Sequence, residues 1–420
     1  MTSRGYAHPV RRVITGPIGL GIAFAIAHAW LAWLLWNHPA QPFADVIVVY
    51  RDWIVAGVYG DIWPGLTGDF VYPPLALVPI ALAAVGGLDG YGWTWLAIVV
   101  ILDATAVAVL ITRGRRGVLA SWWWLAFLVL AGPVALGRLE AIVTPVAIIG
   151  VAFIATRPSV ASALLAIGAW IKIWPAAILG AMLVALKDRV RILIAALLVS
   201  AAVLGCGLIA GLLLGGDPAH LLSFLGGHSG RGVQVESLLA APWLIQAALG
   251  STETAVSWNA ALNTVEVIGP GAELAAAAST PLMVLGVLAI AGLGVVAMRR
   301  GAPSADVLVT LGVGLTAVLV VTNKVGSPQF ATWLAAPVVL AILSRRGIVP
   351  ATAALIIAGI TQVVYPWGYG AVLEAALPAV IVLELRNLVW IALLAWAIAE
   401  LAGAIRAQRR TAQSAVEDGD

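Results

Sequence analysis

Apolar runs follow one another along almost the whole chain, and no other feature of the sequence limits the fold as strongly. A bilayer core needs about 20 consecutive apolar residues per transmembrane helix, and twelve runs, a few of them short, are candidates. They lie at 17–37, 92–112, 118–136, 140–156, 159–173, 175–186, 191–214, 274–298, 306–322, 329–344, 349–364 and 387–403. We therefore expect an all-α, polytopic transmembrane bundle of about twelve spans.

The composition excludes a soluble enzyme. Of the 420 residues, 62% are hydrophobic and 10% are charged, whereas a soluble globular chain is about half apolar and about a quarter charged. The net charge of +3 does not indicate a nucleic-acid partner, because basic residues in such a chain report topology first. The single cysteine, Cys206, excludes an internal disulfide.

The stretch 73–88 decides the topology, since cytoplasmic loops collect Lys and Arg. It is apolar but opens with two prolines and ends in Gly-Gly, so we interpret it as interfacial or re-entrant. Of the 23 Lys and Arg, seventeen then lie in the cytoplasm, among them Arg4, Arg11 and Arg12. Both termini are expected there, in a plasma-membrane protein surrounded by lipid. Six basic residues remain outside: Arg51, Arg138, Lys172, Arg231, Lys324 and Arg386.

Residues 1–403 are expected to form a single membrane domain, and residues 404–420 a disordered cytoplasmic tail. The longest non-spanning stretches, 38–91 and 215–273, both fall outside, and we expect interfacial or re-entrant helices in them. Long loops without structure of their own are uncommon unless they are functional. The working face is therefore predicted to be the extracytoplasmic one.

Acidic, basic and aromatic residues gather on this outer face. They are Asp45, Tyr50, Asp52, Asp69, Tyr72, Arg138, Glu140, Lys172, His228, Arg231, Gln234, Glu236, Asn323, Lys324 and Gln329. Arg and Lys suit a phosphate, and a carboxylate beside it can act as a general base towards a hydroxyl. Together they indicate a cleft for an anionic head group and a polyol. As structural alternatives, Arg138 could pair with Glu140, and Lys172 could extend to the membrane interface.

Two polar residues lie within the predicted spans. His28 is expected to be a hydrogen-bonded packing residue. Asp103 needs a partner because a carboxylate is costly inside a membrane, and the sequence identifies none. The chain has no P-loop, no HExxH and no Cys/His cluster with metal-ligand spacing, which disfavours a nucleotide-driven pump. We expect neither a metal nor a cofactor.

Six pieces of the chain, taken in order, carry a resemblance. Asp45 is followed by Tyr50, and then come FVYPPLAL, GRLEAIVTP, IKIWP, RGVQVES and GSPQFATWLAAP. In this order, and with their shared outer placement, they resemble the multi-spanning glycosyltransferases of the GT-C superfamily. The closest likeness is to glycosyltransferase family 87, the actinobacterial polyprenyl-phosphate-mannose-dependent mannosyltransferases. It extends from the first span to the last.

The resemblance implies an enzyme that transfers a sugar, mannose above all, from a polyprenyl-phosphate donor to a glycolipid acceptor at the outer leaflet. The acceptor would be a phosphatidylinositol mannoside or a lipoglycan, and the transfer would invert the anomeric centre without a nucleotide sugar. Asp45 would be the catalytic base. Because the step from Asp45 to Tyr50 is longer than is usual in the family, Asp52 is a rival and Asp69 a third candidate.

Binding roles follow from the same likeness and the same outer face. The donor phosphate would be held by Lys172, Arg231, Lys324, Arg138 and His228. The substrates would contact Tyr50, Tyr72, Glu140, Glu236, Gln234, Gln329 and Asn323. The apolar spans, together with the stretch 73–88, would form a groove for the prenyl chain.

Two other classes of protein stay open. A secondary transporter or flippase of a lipid-linked or anionic substrate usually has interrupted helices and ionisable residues near the membrane midplane. Asp103 and the IKIWP break fit that pattern, but the charges gather at the outer ends of the spans, which favours chemistry at one face. A non-catalytic scaffold subunit would not need so many cations on the outside.

Overall fold

The computed structural model describes residues 16–227, 230–260 and 262–417, with residue 17 and residues 409–417 as backbone alone. Its α-helices are α1 (Pro17–Asn37), α2 (Arg51–Gly60), α3 (Leu77–Leu82), α4 (Tyr91–Ile111), α5 (Gly114–Ala131), α6 (Glu140–Phe153), α7 (Pro158–Ile171), α8 (Ala176–Ala185), α9 (Arg189–Leu213), α10 (Ala241–Ala248), α11 (Ala272–Arg299), α12 (Ser304–Val321), α13 (Ala335–Leu343), α14 (Ile348–Gln362), α15 (Tyr369–Leu373) and α16 (Leu377–Glu417). The predicted cytoplasmic residues Arg4, Arg11 and Arg12 lie outside the described ranges.

Eight helices of the described chain are long and apolar enough to cross a membrane: Ile18–Asn37, Tyr91–Ile111, Gly114–Ala135, Arg189–Leu213, Ala272–Arg299, Ser304–Val321, Ile348–Trp367 and Leu377–Gln408. The other four predicted runs also form apolar helices, but shorter ones, namely α6, α7, α8 and the segment Pro328–Leu343. The prediction of an all-α fold suited to a membrane is confirmed, and the count of twelve spans stays a prediction.

The helices form an inner set and an outer set. Helix α6 packs against α4, α7 and α13, and α12 packs against α8, α11 and α16. In an apolar stretch of 18 residues, 72% of the residues of α12 are buried, but only 6% of those of α9 and 17% of those of α11. A helix that is apolar all round and yet exposed is suited to contact with lipid. Thus α9 and α11 present faces to the lipid, and α6 and α12 form the core.

The segment 38–91, which we predicted to be the first outer loop, is largely helical. A π-helix, Asp45–Tyr50, leads directly into α2. The stretch that we predicted to be interfacial or re-entrant forms a 3₁₀ turn at Pro74–Ala76, then α3, then a second 3₁₀ turn at Ala83–Gly86. Proline is favoured at the start of a helix because its missing N–H needs no partner there. The segment Pro74–Gly86 is an apolar helix shorter than a full span, as α6, α7 and α8 are, and its interfacial or re-entrant placement stays a prediction.

The segment 215–273, which we predicted to be the second outer loop, contains helices, as predicted, and also a hairpin that the sequence analysis missed. The helical parts are Pro218–Leu225, Leu238–Ala240 and α10. The hairpin pairs β1 (Ala255–Asn259) with β2 (Thr264–Ile268) in antiparallel register. Four of the five residues of the segment TVEVI are β-branched, which favours a strand. We had interpreted this loop as helical and did not use that signal.

Most of the predicted disordered tail is helical instead. Residues 404–420 were expected to lack structure, but α16 continues without a break to Glu417. Between residues 404 and 417 the chain contains neither Gly nor Pro and is rich in Ala, Gln and Arg, which are good helix formers. Helix α16 therefore continues through the polar residues at its C-terminal end. Residues 418–420 lie outside the described ranges.

Asp103 of α4 finds its partner in α1. Its Oδ2 lies 3.0 Å from Nε2 of His28, and its Oδ1 accepts a hydrogen bond of 3.3 Å from Nε1 of Trp124 in α5. The other ring nitrogen of His28, Nδ1, donates to the carbonyl of Phe24 at 2.9 Å. His28 is a hydrogen-bonded packing residue, as expected. Its pairing with Asp103, 75 positions away, joins three helices through buried polar groups.

Candidate functional site

Most of the predicted site residues line one large cavity. Its volume is about 1410 Å³, and the walls come from the first outer loop, the turns before α6 and α8, the second outer loop and the end of α12. The predicted residues in the lining are Asp45, Tyr50, Tyr72, Arg138, Lys172, Arg231, Gln234, Glu236, Asn323, Lys324 and Gln329. Ligand pockets are typically about 300–1,000 Å³, so this cavity has room for more than one small ligand.

The remaining predicted residues lie elsewhere. Asp52 is exposed on α2 and is not part of the cavity lining. Asp69 is also exposed, and its Oδ1 lies 2.9 Å from Nδ1 of His220. Glu140 is buried behind the cavity wall. His228 lies outside the described residues.

Asp45 and Arg138 form the centre of the polar part of the cavity. Nε of Arg138 lies 2.9 Å from Oδ2 of Asp45. The same guanidinium donates to the carbonyl oxygens of Pro42 and Gly137 at 2.7 and 2.8 Å and to the hydroxyl of Tyr365 at 3.3 Å. Burial lowers the pKa of Arg138, but Asp45, Tyr365 and Tyr50 together raise it by more, so its pKa lies above the usual range. Arg138 is thus a fixed cation that orients Asp45.

Glu140 and Lys172 form a second ion pair, and this corrects the alternative in which Glu140 would pair with Arg138. Nζ of Lys172 lies 3.0 Å from Oε1 of Glu140, which also accepts a hydrogen bond of 3.3 Å from Nε1 of Trp333. Nζ lies 4.5 Å above the ring of Tyr72. Only 13% of the Lys172 side chain is exposed, so it faces the cavity instead of extending to the membrane interface. Its charge is balanced by Glu140.

Arg231 and Lys324 bring two further positive charges to the cavity wall. Burial lowers the pKa of Arg231, while Tyr72 and Glu266 act in the opposite direction. Burial also lowers the pKa of Lys324, Glu266 raises it and the positive charge of Arg231 lowers it again. Nε of Arg231 is buried and has no hydrogen-bond partner within the described chain. Two like charges held close together are suited to an anion.

Glu266, the acid nearest to these two cations, is already engaged. Its carboxylate accepts hydrogen bonds from the backbone N–H of Gly232 at 3.0 Å, from the hydroxyl of Thr264 at 2.9 Å and from Nδ2 of Asn259 at 3.2 Å. These bonds fix the hairpin to the loop that carries Arg231. Two cations beside this one carboxylate leave one positive charge in excess among Arg231, Lys324 and Glu266.

The RGVQVES and GSPQF segments lie directly against each other. The N–H of Gln234 donates to the carbonyl of Lys324 at 2.9 Å, and the hydroxyl of Ser237 donates to the carbonyl of Asn323 at 2.6 Å. A Cβ atom at Gly326 would overlap the backbone of Glu236 and Ser237. Glycine is therefore required at position 326 for the two segments to approach each other.

Glu236 is held by Arg386 of α16. Nη1 of Arg386 lies 2.8 Å from Oε2 of Glu236, and Nη2 donates to the backbone carbonyl of Glu236 at 2.8 Å. Burial raises the pKa of Glu236, and the Arg386 guanidinium opposes that rise. Arg386, one of the six predicted outer cations, is thus a buried support for a carboxylate of the cavity wall.

Apart from Tyr50 and Tyr72, the sequence analysis missed the aromatic residues of the cavity wall. Tyr365 and Tyr369 follow α14, and Trp53, Trp258, Phe330 and Trp333 also contribute to the lining. The signal for the first two was present in the segment TQVVYPWGY at the outer end of the eleventh predicted span. It gave no means of telling an inward-facing ring from an interfacial one.

An apolar channel extends the cavity between α8, α11 and α12. Residues of its wall include Ala177, Gly180, Leu183, Met283, Val287, Ala291, Leu315 and Leu319. From Ser279 to Ala291 the wall follows α11 for roughly 18 Å at about 1.5 Å per residue. Residues 73–88, which we expected to contribute to a groove for a lipid chain, are not in the lining. The cavity therefore has a polar half and an apolar half.

The described residues contain no group of three or more His, Cys, Asp or Glu side chains that could hold a metal ion. No family model, no curated protein and no solved structure matches the chain. The cavity itself combines a fixed carboxylate, a cationic region and an apolar channel.

Proposed function

We propose that the protein is an integral-membrane glycosyltransferase of the GT-C type. It transfers a sugar, mannose in the first place, from a polyprenyl-phosphate donor to a glycolipid acceptor at the outer face of the plasma membrane. The proposal includes about twelve spans and cytoplasmic termini. The observation that carries it is one cavity that is lined by Asp45, by the cations Arg231 and Lys324 and by other polar groups, and that continues as an apolar channel between helices.

The donor fits the two halves of this cavity. Arg231 and Lys324 bind the phosphate, Arg by forked hydrogen bonds and Lys as a point charge. The prenyl chain lies in the channel between α8, α11 and α12, where burying each CH₂ group contributes about 0.8 kcal/mol. Charge grows on the phosphate oxygen as the glycosidic bond breaks, and preformed cations stabilise that charge most strongly in the transition state.

Asp45 acts on the acceptor. Arg138 holds its Oδ2 at 2.9 Å, and Oδ1 takes the proton of the acceptor hydroxyl. The acceptor oxygen bonds to the anomeric carbon while the bond from that carbon to the phosphate oxygen breaks, and polyprenyl phosphate leaves with the electron pair. Attack from the face opposite the phosphate inverts the anomeric centre. A positioned general base contributes about 10²–10⁴-fold to such a step.

A secondary transporter or flippase is the runner-up, because the apolar channel would also hold a lipid-linked sugar that is moved across the membrane. The pair of His28 and Asp103 is the feature of the spans that favours transport. Neither residue lines the cavity, and Trp124 and Phe24 complete the hydrogen bonds of the pair. That arrangement favours a structural role for the pair and chemistry for the cavity.

The test is sugar transfer by the purified protein in nanodiscs. With polyprenyl-phosphate-mannose and a phosphatidylinositol mannoside, we expect equal amounts of mannosylated lipid and free polyprenyl phosphate, and no product when GDP-mannose replaces the donor. In liposomes, movement of the intact donor between leaflets without release of polyprenyl phosphate would support the flippase instead.

A further inference from the structure

Two tyrosines and a carboxylate form a separate part of the cavity wall next to Asp45. Tyr365 and Tyr369 meet edge to face, with ring centroids 5.1 Å apart at 84°, and both line the cavity together with Glu236. The hydroxyl of Tyr365 accepts the hydrogen bond from Arg138, which places this ring directly beside the Asp45 ion pair.

These three residues lie close to the ion pair of Asp45 and Arg138. Glu236 and Tyr369 both interact electrostatically with Arg138, and Tyr365 accepts its hydrogen bond. Arg138 in turn holds Asp45 at 2.9 Å. A ligand that contacts these three residues is therefore within reach of Asp45.

The backbone explains why the two rings face inward. Tyr365 has extended angles (φ −136°, ψ 124°) between helical neighbours, as expected for a residue before proline. This break separates α14 from α15 and turns the following residues. As a result Tyr365 is 8% exposed, whereas Trp367, two positions later, is 58% exposed and contacts His38.

Glu236 offers an uncommitted oxygen to this region. Arg386 engages Oε2, and Oε1 makes no hydrogen bond among the described residues. The residue is only 3% exposed. Because Glu236 lines the cavity, this carboxylate oxygen can accept a hydrogen bond from a ligand hydroxyl there.

We propose that Tyr365, Tyr369 and Glu236 form the acceptor subsite and bind a polyhydroxylated six-membered ring of the glycosyl acceptor. The C–H face of such a ring packs on the tyrosines, its hydroxyls donate to Glu236, and a neighbouring hydroxyl reaches Asp45. The acceptor must therefore already carry a pyranose or a cyclitol ring. The term acceptor subsite rests on the proposed function, but binding of the ring to these three residues can be tested without sugar transfer.

The test is equilibrium binding of a phosphatidylinositol mannoside to the purified protein without any donor. We expect Tyr369→Ala and Glu236→Gln each to weaken acceptor binding by about tenfold, and Tyr369→Phe, which keeps the ring, to restore most of the affinity lost in Tyr369→Ala. Trp367→Ala is the matched control, since Trp367 belongs to the same turn but lies outside the cavity, and it should bind like the wild type.

Binding of polyprenyl phosphate, measured on the same variants, should be unchanged and shows that they are folded. Acceptor binding that is equal in the wild type, Tyr369→Ala and Glu236→Gln would overturn the inference, and so would a wild type that does not bind the phosphatidylinositol mannoside. A wild type that binds the acceptor through Tyr369 but transfers no sugar would leave the inference standing and remove the proposed function.

Discussion

Single residues decide the charge of the cavity. Polar residues are rare in this apolar chain, so candidate site residues could be identified from the sequence. Eleven of these predicted site residues line the cavity. Their partners could not be predicted, because pairs such as Arg138 with Asp45 and Lys172 with Glu140 depend on how helix ends meet in three dimensions. Nor could the sequence show that Asp52, an aspartate of the same loop as Asp45, is exposed on α2.

Lys324 makes donor binding depend on pH in a predictable direction. Burial and the charge of Arg231 lower the pKa of Lys324 below the usual range of a lysine, so its ammonium is fully charged at low pH and loses its proton earlier as pH rises. The donor KM should therefore increase at alkaline pH. In Lys324→Arg the cation persists, and this increase should disappear. An unchanged alkaline increase in Lys324→Arg would show that Lys324 does not bind the phosphate.

Pairs of elements are held together by contacts that tolerate little change. One is the contact between α1, α4 and α5 through His28, Asp103 and Trp124. Another is the approach of the Gly326 loop to the backbone of Glu236 and Ser237. The long helices could be predicted from the length of the apolar runs. The hairpin β1–β2 and these contacts could not, since they depend on residues far apart in the chain.

Asp103→Leu should lower the free energy of unfolding by about 1–3 kcal/mol, because it leaves the buried ring of His28 without its partner. The double variant His28→Leu/Asp103→Leu removes both polar groups and should recover part of that loss. Thermal unfolding in detergent is measured for Asp103→Leu, for His28→Leu and for the double variant. A double variant that is as unstable as the sum of the single variants would mean that the two residues do not interact.

Gly326→Ala should reduce sugar transfer by at least about tenfold, because the added Cβ displaces the segment that carries Gln234 and Glu236. Gly292→Ala is the matched control: Gly292 lies in α11, and a Cβ there meets nothing within 4 Å. Its transfer rate should equal that of the wild type. Equal rates in both variants would contradict the tight approach of the two segments.

At the scale of the whole molecule, short helices make room for the cavity. Helices α7 and α8 have 14 and 10 residues, about 21 and 15 Å at 1.5 Å per residue, less than the roughly 30 Å of a bilayer core. Non-helical backbone at membrane depth is tolerated where protein or a water-filled cavity surrounds it. The break around Lys172 opens to the cavity, so the missing helical turns and the polar site occupy the same region.

The proposed orientation can be checked by labelling cysteines in intact cells. In a Cys206→Ser background, Thr252→Cys in the second outer loop should react with a membrane-impermeant thiol reagent. Lys187→Cys, in the turn between α8 and α9, should react after the membrane is permeabilised. The opposite pattern would place the cavity in the cytoplasm and contradict the proposed outer active site.

The central claim is that the carboxylate of Asp45 is the base of a sugar transfer within this cavity. The most direct measurement compares the wild type, Asp45→Asn and Asp52→Asn for transfer from polyprenyl-phosphate-mannose to a phosphatidylinositol mannoside. We expect Asp45→Asn to lose about 10²–10⁴-fold in rate while its unfolding temperature is kept, and Asp52→Asn to retain the wild-type rate. Full activity in a folded Asp45→Asn protein, or loss in Asp52→Asn alone, would contradict the account.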